Sequence, residues 1–210
     1  EAQIAHIPDG VVSVPVLITG ALVTATLVGI AVRKLDYDRL PQTALLSAVF
    51  FVASLFAVPL GPGSIHLTLN GLMGLVLGWA AAPAFLIALL LQAVFFGFGG
   101  LVVLGVNAMN LAVPALVCAA LFGPLLRRAQ SPRQSAMLGA GAGALGVALS
   151  GLMICLTLAL SGREFLPAAK IVIATFIPLM LVEGVLTGAT VGFLKRVAPE
   201  IINPIGASNA

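Results

Sequence analysis

Apolar residues in this chain do not recur with a helical or strand period. They run in long blocks, interrupted at intervals by glycine, proline and charged residues. A helix in lipid can be apolar on every side, so the block ends, rather than a stripe, define the elements. Seven blocks result: about Val12 to Val32, Gln42 to Leu60, Leu67 to Trp79, Pro83 to Phe98, Asn107 to Leu126, Gln134 to Leu160 and Leu166 to Arg196. The last carries Pro178, where a break or tilt is expected. The third is short for a crossing, which leaves six spans as the alternative to seven.

Composition turns this pattern into a class. Of 210 residues, 60% are hydrophobic and 8% charged, with a mean hydropathy of +1.18. A soluble domain carries roughly 25% charged residues. The surface must therefore face lipid, and a soluble or nucleic-acid-binding domain is excluded. The expected fold is an all-α integral membrane protein, residues 1–210 forming one transmembrane domain. Net charge is +3, but the basic residues are clustered rather than spread over a polyanion-binding face. Arg33, Lys34 and Arg39 share one loop, Arg127, Arg128 and Arg133 another, and Lys195 and Arg196 open the tail. The positive-inside rule puts these in the cytoplasm, so the N-terminus lies outside and the C-terminus inside. Arg163 and Lys170 dissent, with Glu164 a partial offset. Cys118 and Cys155 lie in different apolar blocks and read as buried structural thiols.

The only histidines are His6 and His66. This topology places both at the outer side, which points to a shared metal or proton role beside the plainer reading of satisfied interface residues. Their surroundings are Ala5-His6-Ile7-Pro8-Asp9-Gly10 and Gly61-Pro62-Gly63-Ser64-Ile65-His66-Leu67. Asn70-Gly71-Leu72, Gln92-Ala93-Val94-Phe95-Phe96-Gly97-Phe98-Gly99-Gly100-Leu101 and Gly105-Val106-Asn107 follow. This order resembles the CbiM/NikM family, the substrate-capturing membrane subunits of energy-coupling-factor-type cobalt and nickel transporters. The likeness extends through Glu183-Gly184 to Phe193-Leu194-Lys195-Arg196.

The resemblance implies a near-square-planar set of nitrogens around the transported Ni(II) or Co(II). His6 and His66 would supply imidazoles, His6 also its amide, and Ala5 the fourth nitrogen. Tetragonal nitrogen fields suit Ni(II), and also Cu(II), and a coordinated amide must lose its proton, so binding weakens as pH falls. The family typically begins Met-His, whereas five residues precede His6 here. Cleavage after Ile4 would free the Ala5 amine and is the preferred reading. Cleavage after Gln3 would give Ile4-Ala5-His6, whose own four nitrogens could fill the plane without His66. Asp9, Asn70 and Asn107 are candidates to orient the imidazoles by hydrogen bonds, beside a capping or turn role for Asp9 and interhelical bonding for the asparagines. Glu183, ionisable at depth, is a functional candidate by position, read as structural or partner-coupling rather than as a ligand.

The sequence holds no His-Glu-x-x-His motif and no phosphate-binding Gly-x-x-x-x-Gly-Lys loop. An intramembrane serine protease would need a base beside a residue such as Ser150, and no histidine falls there. The expected protein is thus no enzyme and has no catalytic cofactor. The resemblance implies partners: a transmembrane coupling subunit, cytoplasmic ATPases and, as a further candidate, a small accessory membrane subunit, in a bacterial or archaeal cell membrane. A self-sufficient secondary carrier, or an intramembrane enzyme, are the competing readings.

Overall fold

The computed structural model describes residues 7–55, 57–60, 63–162 and 166–202. His6 and Ala5 lie outside these, as do Arg163 and Glu164. Seven α-helices are present among the described residues: α1 (Val14–Arg33), α2 (Leu40–Ala53), α3 (Asn70–Leu77), α4 (Ala81–Phe96), α5 (Leu104–Arg128), α6 (Pro132–Ser161) and α7 (Leu166–Val197). They follow the seven apolar blocks in order. Among the described residues five stretches are long and apolar enough to cross a membrane: α1, α5, α6, Lys170–Val197 of α7, and the run Asn70–Phe96 that holds α3 and α4. Helix α7 continues through Pro178 without interruption, and α5 through Pro114 and Pro124. In lipid, neighbouring helices and local adjustment can compensate the amide that proline lacks.

The block at 42–60 departs from expectation. Helix α2 stops at Ala53, and residues Ala57–Leu60 form strand β1, antiparallel to β2 (Gly63–His66), with Ala57 opposite His66. Pro59 accounts for the change. Its ring would clash with the carbonyl one turn earlier, and it biases Val58 toward extended backbone. Between β2 and α3 the chain stays non-helical, and Leu69 takes the left-handed conformation, φ 47° and ψ 21°. For a residue with a Cβ this costs about 1–2 kcal/mol.

Helix α3 is buried at every residue, Asn70 to Leu77. Gly78, at φ 55°, turns the chain at its end. The hydroxyl of Ser47 donates to the Ala84 carbonyl, Phe50 packs edge-on against Phe85, and Gln92 reaches Ser54. Helices α2 and α4 therefore run parallel. Because α3 returns from the end of α2 to its start, Asn70–Phe96 makes two opposed legs rather than one straight span.

Glycines set the helix spacing. Helices α6 and α7 pack antiparallel, with Gly139 and Gly143 against Thr187, Val191 and the Glu183 carbonyl, and Gly184, Gly188 and Gly192 against Ala140, Ala136 and Pro132. Such small-residue faces bring backbones together where lipid gives no hydrophobic drive for association. The four-residue spacing of Gly139 and Gly143 is legible in the sequence, and the matching row on α7 completes it. Gly71 lies on the Ala142–Gly143 backbone and Gly74 on the Ala115 carbonyl, seating α3 between α5 and α6. A Cβ at Gly143 would stand 2.5 Å from the Glu183 carbonyl oxygen, whereas one at Gly29 meets nothing within 4 Å. Gly143→Leu should lower the thermal midpoint in detergent by several degrees, matching an overpacking cost of about 1–3 kcal/mol. Gly29→Leu should leave it unchanged or raise it, and equal effects would refute the packing account.

Candidate metal site

The two histidine neighbourhoods meet at the end of the bundle opposite the basic clusters. Ile7, which follows His6, is buried with Val12, Val103, Val106 and Val147, and Leu67, which follows His66, packs against the same cluster. The N-terminal segment is held there by two side chains. Asn107 accepts from the Ile7 amide at 3.1 Å and donates to the Ile7 carbonyl at 3.0 Å. Asp9 accepts from the Val103 amide at 2.9 Å, at the start of α5. This satisfies an otherwise unpaired amide and places negative charge at the positive end of the helix. Gly100 is needed for this contact, since a Cβ there would stand 2.1 Å from the Asp9 carboxyl carbon.

Asn107 thus grips the main chain next to His6, and Asp9 fixes the segment on α5. Asn70 takes a third path. Its amide donates to the Ser150 hydroxyl, which donates at 2.8 Å to the Asn110 carbonyl, so α3 is tied to α6 and α5. Among the described residues no group of three or more His, Cys, Asp or Glu forms a metal cluster. His66 is the one proposed ligand whose surroundings are on view, since His6 and Ala5 lie outside the described residues.

His66 ends strand β2 and is 2% exposed. Its ring lies 5.9 Å from that of Phe98 and faces the Ser54 backbone at the end of α2. Phe98 reaches this position because α4 ends on Gly97 (φ 68°), with the Phe98 amide closing onto the Gln92 carbonyl at 3.3 Å. Left-handed Gly97, its amide bonded five-to-one to the Ala93 carbonyl at 3.2 Å, makes an αL-type stop, which accounts for Gly97 in the Phe-Gly-Phe-Gly-Gly stretch. Behind Ser54 stands Gln92, fully buried, whose side-chain nitrogen donates to the Ser54 hydroxyl, which donates to the Phe51 carbonyl at 2.8 Å. Neither residue stands out as a site residue in the sequence. The available signal is that Gln92 is the one polar side chain in α4.

Burial holds the His66 imidazole below its ordinary pKa, and the nearby Ser54 backbone opposes this in part. The ring is therefore neutral at neutral pH, as a metal ligand must be. The fold favours the neutral form, so the stability His66 contributes is fully present above its ordinary pKa of about 6.5 and is lost as pH falls through that value toward the lowered one. The thermal midpoint of metal-free protein should fall more steeply between pH 7 and 5 in the wild type than in His66→Gln. Parallel slopes would show that His66 does not titrate in this way.

Fold and sequence comparisons agree on the class. A solved truncated transition-metal transporter superposes with a TM-score of 0.72, at 23% identity, over 93% of this chain and 98% of that one. A transition-metal transporter does so at 0.70, with 22% identity and 93% of both. A putative metal transport protein of Haemophilus influenzae is 40% identical over 94% of this chain and 97% of its own length. A fused nickel transport protein NikMN of Rhodobacter capsulatus is 31% identical over 95% of this chain and 64% of its own. A putative cobalt transport protein CbiM of Methanocorpusculum labreanum is 32% identical over 83% and 80%. The protein is a multi-pass membrane protein of a metal-transport class. Residues 6–201 match the family described as CbiM, cobalt uptake substrate-specific transmembrane region, and the chain belongs to that family.

Proposed function

We propose that this protein captures Ni(II) or Co(II) at the outer face of a cell membrane and delivers it inward as the substrate-binding subunit of a multi-subunit, ATP-driven transporter. The observation that carries the reading is the buried, neutral His66 at the same end of the bundle as an N-terminal segment clamped by Asn107. A buried imidazole next to a fixed main-chain segment suits a nitrogen-only, tetragonal ligand set better than an oxygen cage. His6, through imidazole and amide, and the nitrogen of Ala5 complete that set in this proposal.

Orientation follows from charge. Eight of the ten Lys and Arg residues (33, 34, 39, 127, 128, 133, 195, 196) fall at one end of the bundle, the ends of α1, α5 and α7 and the starts of α2 and α6. That end is taken as cytoplasmic, with seven crossings and the N-terminus outside. Partners supply the energy, since this sequence holds no nucleotide-binding loop. Relatives whose names describe fused nickel transport proteins carry the matched region within a longer chain, which supports a membrane coupling subunit as one partner, with ATPases beyond it. A secondary carrier would call for ionisable groups along a midplane path, and Glu183, the acidic residue at depth, is committed to backbone amides instead.

Titration of Ni(II), Co(II), Cu(II) and Zn(II) into detergent-purified protein tests the reading. Ni(II) or Co(II) should bind with one site per chain, and His6→Ala and His66→Ala should each weaken binding at least 100-fold. Unchanged affinity in both variants would overturn the site.

A further inference from the structure

Glu183 lies on α7, far in sequence from either histidine and fully buried. One of its carboxylate oxygens accepts from three donors on the chain just after His66: the Thr68 amide, the Thr68 hydroxyl at 3.0 Å and the Leu69 amide at 2.8 Å. Two successive amides can aim at one oxygen only if the backbone curls between them. Leu69 makes that curl, as the one non-glycine residue with positive φ among those described. A left-handed leucine persists only where its surroundings over-determine it, and such positions gather at functional sites. The side chain that over-determines this one is Glu183, and the strained turn begins two residues from His66.

We propose that Glu183 is a positioning residue for the metal ligand His66, holding residues 68–69 in the left-handed turn and thereby fixing where the imidazole stands. The proposal rests on the reading of His66 as a ligand. It makes α7, which bears Lys195 and Arg196 at its basic end, mechanically continuous with the ion site. Reach and acceptor geometry matter here, more than charge. Aspartate keeps the charge but is one methylene too short, whereas glutamine keeps the reach and an acceptor oxygen.

The test uses full-length protein in detergent, with Ni(II) affinity and the Ni(II) d–d absorption spectrum as readouts and thermal midpoint recorded separately. Glu183→Asp should bind Ni(II) at least 10-fold more weakly with a shifted spectrum, and Glu183→Gln should stay within threefold of wild type with an unchanged one. Adding Leu69→Gly to Glu183→Asp should regain at least threefold, because glycine enters the left-handed turn without strain. Wild-type affinity and spectrum in Glu183→Asp, loss in Glu183→Gln equal to that in Glu183→Asp, or no recovery in the folded double variant would each overturn the proposal. Should Glu183→Asp not fold, Glu183→Gln decides alone: near-wild-type binding supports it and a 10-fold loss overturns it. His66→Ala run alongside separates the two claims. If that variant binds Ni(II) normally, the ligand reading itself has failed. If it loses binding while Glu183→Asp does not, only the positioning role has failed.

Discussion

Helix α3 is eight residues long, buried on all sides, and begins and ends inside the protein. An interior helix end exposes amide or carbonyl groups that water would otherwise satisfy, and each one left unpaired in an apolar setting costs several kcal/mol. Here both ends meet a side-chain hydrogen-bond partner of the right kind. The Glu183 carboxylate gathers the amides of Thr68 and Leu69 just ahead of the first turn, and the Arg39 guanidinium donates to the Val76 carbonyl in the last turn at 3.2 Å. The Arg39 charge at the carbonyl end also complements the helix dipole. With both ends satisfied, a helix too short to be a simple span can stand in the bundle.

Much of the remaining architecture serves that helix. The glycines at 71, 74, 143 and 146 let α3 approach α5 and α6 at backbone distance, and the Asn70–Ser150–Asn110 chain fixes its rotation. Because α3 starts late, the segment after β2 is free to be extended and then left-handed. That freedom holds His66 in the hairpin under Phe98 rather than carrying it round a helical turn. Gln92 and Ser54 brace the imidazole from the α2 and α4 side, and Glu183 braces the chain just beyond it from α7. The proposed ion site is thus a product of the ends of α2 and α4 and the middle of α7, none of which supplies a second described ligand.

The order of the seven blocks, the lipid-facing class and the segregation of basic residues were all legible in composition and breaker positions, because lipid imposes those features directly. The hairpin at 57–66 was not. Its apolar residues read as more helix, and only Pro59, one residue among many in a glycine- and proline-rich chain, marked the change. His66 stood out because histidine is rare in so apolar a background. Its supports did not. Glu183 was visible as an ionisable residue at depth, yet its partners lie 114 and 115 positions away, and no local pattern announces a cap supplied by another helix. Asn107 and Asp9 were visible as polar residues near the right end, but side-chain identity alone does not say whether a group holds an imidazole or the main chain beside it. Long-range hydrogen bonds to backbone are the part of the site that spacing cannot encode.

The central claim is that a transported ion sits on the His66 imidazole within a ligand set made of nitrogen. Nickel K-edge X-ray absorption on the loaded protein in detergent tests it most directly. The account predicts a four-coordinate, nitrogen-only shell with the outer-shell scattering of imidazole, part of which disappears in His66→Ala. A six-coordinate, oxygen-rich shell that is the same in wild type and His66→Ala would contradict it.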